Sequence, residues 1–456
     1  MSDLYAETRD VGQFLIPRGK DLNLRQATVA GIEMGSIQLL FSDGLFPVGG
    51  FNFLSSYRPQ IGDVVWVLKQ GGDNLVLGDI VIPGGLVQEP IHYVGQTDYG
   101  EPAFQNNWQN YGFDGAFTYD SAGFYKDPDG FVHLSGVVKN TSGSAYNTTI
   151  FTLPAGYRPD YTHRTPVSSN AGLFATKLWA IDVQDDGQVK VVTASNNATG
   201  GSVKGYLSLE GIRFMAVENQ HERVHEWVGL GRAGDWTWDY SIQQDVFPSQ
   251  WHRWDGLVRC RGRLSNSVDN TQDLVAVISE QSSRTRWSKL LPTVMIKSSD
   301  SSLQAVRLDV QPMGRQIARV TSAYDNELLL DGLQWYGDVP ESYWTELDLV
   351  NSWINYNAAP HWGQARFFKD GYGVVHVRGL VSGGTTTINT IVTTLPIDCR
   401  PVARKMFPTW HAAGGGSAGR LDVNENGEVS ISSGGINAGH MTLDTISFRS
   451  NPDFTY

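Results

Sequence analysis

Apolar and polar residues alternate along most of the chain, and Gly, Asn, Asp or Pro interrupts the alternation at short intervals. Residues 130–136, GFVHLSG, show the pattern over one predicted strand. A period of two places successive side chains on opposite faces of a strand, and the 3.6-residue period of a helix is almost absent. Short strands bounded by turn residues every 8–12 residues or so are typical of sandwiches and barrels. The pattern therefore predicts an all-β chain.

The first domain is predicted between residues 25 and 82. Its last part, VVWVLK at 64–69 and NLVLGDI at 74–80, predicts a hairpin, because the Gly-Gly-Asp between the two runs suits a tight turn. Five short strands in this length predict a small closed barrel of the OB type. Residues 1–24 are predicted to form an arm that docks on another protein.

A set of landmarks then occurs three times in the same order. Each copy has a tryptophan, a hairpin segment that ends in Gly, a Leu-Pro, an Asp-Val before another Gly, and a final alternating strand. The hairpin segments end at Gly136, Gly262 and Gly379, which are 126 and 117 residues apart. Each copy predicts a jelly-roll-like β-sandwich. The predicted domains are a docking arm (1–24), an OB-like barrel (25–82), a linker (83–107) and three tandem sandwich modules (108–218, 219–338 and 339–456).

The second module diverges from the other two. The hairpin segments of the first and third are FYKDPDGFVHLSG (124–136) and RFFKDGYGVVHVRG (366–379), whereas the second has WHRWDGLVRCRG (251–262). The second copy is also the richest in tryptophan. Exposed Trp faces stack on sugars and anchor interfaces. Candidate surface-binding residues that lie outside the shared pattern are Trp236, Trp251 and Trp254. The recurring Trp108, Trp238 and Trp353 are predicted to be structural.

Composition and charge exclude several classes of protein. The 456 residues carry a net charge of −12, and no basic run offers the phosphate contacts that nucleic acid needs. Cys260 and Cys399 lie in different modules, and no CxxC pair predicts a zinc site. The first 20 residues hold no signal peptide, and no 18-residue apolar run predicts a membrane span. We expect synthesis in the cytoplasm, no membrane insertion, and release by lysis or as part of a particle.

One segment resembles a metal site. Residues 422–427, DVNENG, match the opening of a calcium loop, with Asp422, Asn424 and Asn426 as candidate ligands. The twelfth position is Ser433, which lacks the required carboxylate, and the other copies keep the Gly of this turn without its polar oxygens. A hairpin turn is the favoured interpretation, so neither a metal nor a cofactor is predicted.

Catalytic patterns are weak. His221 and His225 are four residues apart, but the Glu beside the second His of a metalloprotease helix is missing. No G-x-S-x-G elbow occurs, and no sequence feature places two carboxylates at glycosidase spacing. We expect no catalytic residues and a protein that is not an enzyme.

The repeated segments resemble the β-modules at the ends of minor tail proteins of tailed bacteriophages, especially those of actinobacterial hosts. The likeness is carried by PAFQNNWQNYG, FYKDPDGFVHLSGVV, IFTLPAGYRP, IDVQDDGQV and LSLEGIRF in the first module, and by corresponding runs in the third. The first domain resembles the OB domains of phage tail hubs and spikes through ATVAGI, YRPQIGDVVWVL and LVLGDIV. No catalytic residue set belongs to these modules.

The resemblance implies a structural virion component at the tail tip that binds the host surface. The arm and barrel would contact other tail-tip proteins, and the modules would project outward and bind an envelope glycan or a surface protein. Members of this family are often homotrimers, so a homotrimer is expected. Two alternatives stay open: a tail-associated depolymerase or cell-wall hydrolase, and a carbohydrate-binding adhesin that is not from a phage.

Overall fold

The chain folds into two compact units, Met1–Leu86 and Val87–Tyr456, in a computed structural model. The described residues are almost entirely strands, so the predicted all-β class is confirmed. No helix among them is long and apolar enough to cross a bilayer. The structure describes residues 22–33, 36–41, 48–53, 64–70, 73–79, 89–114, 117–142, 147–169, 178–192, 206–217, 227–233, 236–238, 249–254, 256–266, 274–278, 285–297, 303–312, 315–319, 326–337, 341–356, 362–412, 416–432 and 439–451.

The first unit is a closed five-stranded barrel with the strand order β1-β2-β3-β5-β4. The predicted hairpin of β4 and β5 is confirmed, and β3 pairs with β5 in parallel. Of the predicted arm, residues 1–21 lie outside the described residues, and residues 22–24 begin β1. The barrel strands are β1 (Leu22–Glu33), β2 (Ser36–Phe41), β3 (Val48–Phe53), β4 (Val64–Gln70) and β5 (Asp73–Asp79).

The second unit begins with the first module, residues 89–217. The predicted linker 83–107 is wrong from residue 92 onward, because His92–Tyr93 pairs with the hairpin segment, and Val94 and the partly buried Phe104 pack in the module core. A short 3-10 helix covers Thr97–Tyr99. The strands of module 1 are β6 (His92–Tyr93), β7 (Trp108–Asn110), β8 (Phe113–Asp114), β9 (Phe117–Thr118), β10 (Gly123–Lys126), β11 (Phe131–Ser135), β12 (Val137–Asn140), β13 (Thr149–Thr152), β14 (His163–Ser168), β15 (Leu178–Val183), β16 (Gln188–Val191), β17 (Tyr206–Ser208) and β18 (Arg213–Met215).

Modules 2 (residues 227–337) and 3 (residues 341–451) follow, and 3-10 helices cover Glu341–Tyr343 and Ile397–Cys399. The strands of module 2 are β19 (Val228–Gly229), β20 (Gly231–Arg232), β21 (Trp236–Trp238), β22 (Gln250–Trp254), β23 (Leu257–Arg261), β24 (Arg263–Asn266), β25 (Leu274–Val277), β26 (Lys289–Lys297), β27 (Leu303–Val310), β28 (Arg315–Arg319), β29 (Asn326–Leu329) and β30 (Gln334–Tyr336). Those of module 3 are β31 (Thr345–Glu346), β32 (Ile354–Asn355), β33 (Arg366–Lys369), β34 (Val374–Arg378), β35 (Leu380–Ser382), β36 (Ile391–Thr394), β37 (Lys405–Ala412), β38 (Ser417–Val423), β39 (Glu428–Ile431), β40 (His440–Thr442) and β41 (Ser447–Arg449).

The three modules repeat one strand order. Each has a four-stranded sheet: β6-β10-β11-β18, β19-β22-β23-β30 or β31-β33-β34-β41. Each also has a larger sheet, which runs β21-β24-β29-β26-β27-β28-β25-β20 in module 2 and β32-β35-β40-β37-β38-β39-β36 in module 3. In module 1 the same order is split into β7-β12-β17 and β14-β15-β16-β13, with a bridge between Ser169 and Leu207. The predicted triplication is therefore present in the strand order.

The modules pack against one another around a shared core. Strand β15 shows why: Trp179, Ile181 and Val183 point into the core of module 1, whereas Leu178 and Ala180 point into the shared core. A strand that is apolar on both faces must be covered on both. The buried residues of the shared core are Leu178, Ala180, Leu290, Val294, Ile296, Leu329, Leu380, Trp410 and Ala418.

Candidate functional site

The tryptophans proposed as a binding surface do not form one. Trp236 and Trp251 are each only 3% exposed and belong to the core of module 2, so the prediction of exposed stacking faces is wrong for both. The backbone of Trp254 ends β22, but its side chain lies outside the described residues. Trp236 and Trp251 lie in the core because burying a large aromatic side chain is strongly favourable.

The recurring tryptophans have the structural role that was predicted where they are described. Trp108 lies in the core of module 1 and Trp353 in that of module 3. The side chain of Trp238 lies outside the described residues.

The candidate calcium loop is a hairpin turn between β38 and β39. Asp422 is fully buried, and its carboxylate accepts bonds of 2.6 and 2.5 Å from Arg420 and lies 2.5 Å from Arg404 Nε. The backbone N–H of Asn424 donates to the Glu428 carbonyl, and Asn426 Oδ1 accepts from the Glu428 N–H. The two arginines already pair with the Asp422 carboxylate, which a bound metal ion would need as a ligand. Within the described ranges no three His, Cys, Asp or Glu side chains are grouped as metal ligands.

An acid–base pair joins the modules at each of the three interfaces, and its residues stand at equivalent positions in the three modules. The ring acids, which lie just after β17, β29 and β40, are Glu210, Asp331 and Asp444. The ring bases, which begin β14, β26 and β37, are His163, Lys289 and Lys405. The equivalence of the bases follows from strand pairing, since each faces the Val of the Asp-Val landmark.

Each ring acid reaches the base of a different module. Lys405 Nζ lies 2.9 Å from Glu210 Oε1, and Lys289 Nζ lies 3.0 Å from Asp444 Oδ1. His163 Nδ1 lies 3.3 Å from Asp331 Oδ1. Module 1 is thereby joined to module 3, module 3 to module 2, and module 2 to module 1. The three contacts close a ring within one chain.

The same carboxylates hold the hairpin segments in place. The backbone N–H of Gly136 donates to Glu210, that of Gly262 to Asp331 and that of Gly379 to Asp444, at 3.0, 2.8 and 3.0 Å. Buried carboxylates require such partners because water is excluded. Each ring acid thus joins its own hairpin to the neighbouring module.

Two of the three interfaces are filled by a stacked Arg–Trp pair, which we call the plug. In module 2 the Arg261 guanidinium lies 3.8 Å from the centre of the Trp227 ring, and in module 3 Arg378 lies 4.1 Å from that of Trp344. The plugs face His163 of module 1 and Lys289 of module 2, respectively. The remaining cavities at these interfaces measure only about 20 and 30 Å³.

The third interface, between modules 1 and 3, has no plug among the residues that the structure describes. Ser135 is the residue of module 1 at the position of the plug arginines. It ends β11 and pairs with Gly123, the first residue of β10, and in module 2 Arg261 ends β23 and pairs with Gln250, the first residue of β22. Ile91, which precedes β6, takes the place of the plug tryptophans, which precede β19 and β31. The interface holds a half-open cleft of about 570 Å³. This volume lies within the range of roughly 300–1,000 Å³ that is typical of ligand sites.

The walls of the cleft combine aromatic, apolar and charged groups. Lys405 bridges Asp120 and Glu210 at 2.5 and 2.9 Å. Burial would lower the pKa of Lys405, but the two carboxylates outweigh it and raise that pKa. Burial raises the pKa of Glu210 despite the lysine, and raises the pKa of Tyr125 to about 12. The principal polar and aromatic lining residues are Tyr93, Asp120, Tyr125, Glu210, Lys405 and Arg449.

Two polar atoms in the cleft wall have no hydrogen-bond partner among the described residues. They are Ser135 Oγ and His133 Nδ1, both on residues that are 5% exposed. The other ring nitrogen of His133 lies 2.8 Å from Asp127 Oδ2. Burial lowers the pKa of His133 to about 4, so the ring is neutral near pH 7. Orphaned buried polar atoms are rare, and here they belong to residues that line the cleft.

No family model, curated protein or solved structure matches this chain. Sequence reasoning missed the cleft because it treated the first and third hairpin segments as equivalent scaffold. A signal was present, since Ser135 stands one residue before the anchor Gly where the other two segments have Arg. The sequence does not show that this position lies at an interface.

Proposed function

We propose that the chain is a structural component of a phage tail tip that attaches the particle to the host cell surface. The observation that carries the proposal is the closed ring of three modules with one unplugged interface. Buried acid–base pairs and a shared core make a rigid support, and one cleft of ligand size opens between two modules. The resemblance of the repeated segments to phage tail modules supplies the location.

We also propose an OB-like first domain and three β-sandwich modules. The barrel order β1-β2-β3-β5-β4 and its parallel β3–β5 pair support an OB-like domain that, with the preceding arm, contacts other tail-tip proteins. Core residues drawn from both sheets of each module support three sandwiches. The ring also bears on the expected homotrimer: three equivalent modules already meet within one chain, so we propose that one chain takes the place of three.

The carboxylates in the cleft do not favour the depolymerase alternative. Asp120 and Glu210 both contact Lys405, so each is held in an ion pair with the same lysine. Asp331 and Asp444, the equivalents of Glu210, make the same backbone bonds at the plugged interfaces, where there is no cleft. The shared role of these acids is to join modules.

The test has two parts. Mass spectrometry and antibody labelling of purified particles should find the chain at the tail tip, and the purified chain should compete with particles for adsorption to host cells. The chain incubated with host wall polysaccharide should release no sugar. Absence from particles, or failure to compete, would overturn the proposal. Sugar release that is lost in Glu210→Gln would favour the enzyme instead.

A further inference from the structure

We propose that the cleft between modules 1 and 3 is a carbohydrate site that binds a short oligosaccharide with an acidic group. This inference deepens the proposed function, on which it rests, by naming the place and the ligand class. The cleft exists because Ser135 and Ile91 stand where the other two interfaces have the Arg and Trp of the plug.

The open space is specific to one interface. All three interfaces share the same strands and an acid–base pair, yet two retain about 20 and 30 Å³ and the third about 570 Å³. Interiors are close-packed, so a volume of this size in the wall of a rigid ring needs an occupant or solvent. The half-open shape gives a soluble ligand access.

The polar groups on the wall fit a hydroxyl-bearing ligand. Asp120, Glu210 and Ser450 place polar groups on this wall. Tyr93 and Tyr125 add phenol groups beside the apolar side chains of Leu134 and Phe448. Alternating hydroxyl and C–H faces are the surface that a sugar presents, and mixed donors, acceptors and aromatic faces complement it.

The charges favour an acidic sugar. Asp120 and Glu210 share Lys405, which leaves Arg213 and Arg449 as further cations on the wall. Arg213 donates to the Ser447 carbonyl and hydroxyl, and Arg449 donates to the Glu89 carbonyl, so these bonds are to neutral acceptors. A guanidinium bound to neutral acceptors retains its charge for an incoming carboxylate. The Arg449 guanidinium also lies over the Tyr125 ring, at 5.0 Å.

The experiment rebuilds the plug in the intact chain. Binding of short glycans that carry uronic acids, and of matched neutral glycans, is measured on an array and by calorimetry. We expect acidic glycans to bind the wild-type chain at least about tenfold more tightly than neutral ones, and the Ile91→Trp/Ser135→Arg variant to lose at least about tenfold in affinity. Ile388→Arg adds the same charge at an exposed site outside the cleft lining and should bind as wild type.

A second variant covers the case in which the plugged chain does not fold, as judged by thermal unfolding. Arg449→Gln should weaken acidic glycans severalfold and leave neutral ones unchanged. The inference is overturned if no acidic glycan binds, or if a folded plugged variant or Arg449→Gln binds acidic glycans as wild type does. Host-cell binding separates the two proposals: a wild-type chain that binds no cells defeats the proposed function, whereas a plugged variant that still binds cells defeats only the cleft.

Discussion

Among the described residues of the second unit, which we call the module unit, three histidines are buried beside carboxylates. His133 Nε2 lies 2.8 Å from Asp127, His376 Nε2 lies 3.0 Å from Asp370, and His163 Nδ1 is 3.3 Å from Asp331. The carboxylates favour the charged ring, but burial outweighs them and lowers the pKa of all three histidines. The folded chain therefore holds neutral imidazoles that the unfolded chain would protonate.

This burial predicts acid-labile stability. The unfolded chain binds more protons than the folded one below pH 6.5, so the free energy of unfolding falls as the pH falls from about 6.5 to about 4. The shift of the His133 pKa from 6.5 to about 4 corresponds to a loss on the order of 3 kcal/mol. Urea unfolding across this window should show the decline.

Two variants test whether His133 contributes to this decline in stability. His133→Gln removes one titrating group and should make the decline shallower. His92→Gln is the control, because its two glutamate partners raise the pKa of His92 against the effect of burial, and it should not flatten the decline. An unchanged slope in His133→Gln would contradict the assignment.

At the scale of elements, the hairpin segments end at glycines that the fold requires. Gly136 has a φ of +97° and Gly379 a φ of +123°, and both are placed against neighbouring backbone. A Cβ on Gly136 would lie 2.3 Å from the Ser121 carbonyl oxygen, and one on Gly379 would lie 2.6 Å from Ala365 Cα. The recurrence of these glycines in the sequence thus has a conformational and a steric cause.

Gly136→Ala is therefore expected to destabilise the chain strongly. The positive φ costs about 1–2 kcal/mol and the clash adds about 1–3 kcal/mol. Gly100→Ala is the matched control, since Gly100 has a φ of +80° but nothing within 4 Å of an added Cβ, and it should lose only the first amount. Denaturant midpoints measure both, and equal losses would show that the close approach is unimportant.

Strands were predictable where alternation ran long and was flanked by turn residues, as in β4, β5 and β11. The two-residue strand β6 was not, because His92–Tyr93 is too short to show a period. The sequence predicts a linker here, although β6 completes the first sheet of module 1. This segment is a strand because it pairs with β10, which lies far from it in the sequence. The local sequence pattern does not show such pairing.

At the scale of the molecule, the closed ring predicts that the modules unfold together. Each module covers the outer face of strands in the others, and each is tied to the next by a ring acid and a ring base. A module alone would expose an apolar face that is buried here. Calorimetry should therefore show one transition for residues 87–456 and a separate one for the barrel.

Lys289→Met tests this cooperativity. The change leaves the Asp444 carboxylate buried with its hydrogen bonds but without its lysine partner, at a cost approaching about 3–5 kcal/mol. The whole transition of the module unit should move to lower temperature, and that of the barrel should stay. Ile37→Ala, in the barrel core, should move only the other transition. Independent melting of one module would contradict the ring.

The sequence by itself determined the local structure: the all-β class, the barrel hairpin, the three copies and their anchor glycines. These features follow from period, turn chemistry and spacing, which act over a few residues. Only the tertiary structure decided that Trp236 and Trp251 are core, that Asp422 pairs with arginines, and that the modules close on themselves. Those outcomes depend on which faces meet between residues far apart in the chain. A Ser135 in place of Arg matters only because the ring sets it opposite Lys405.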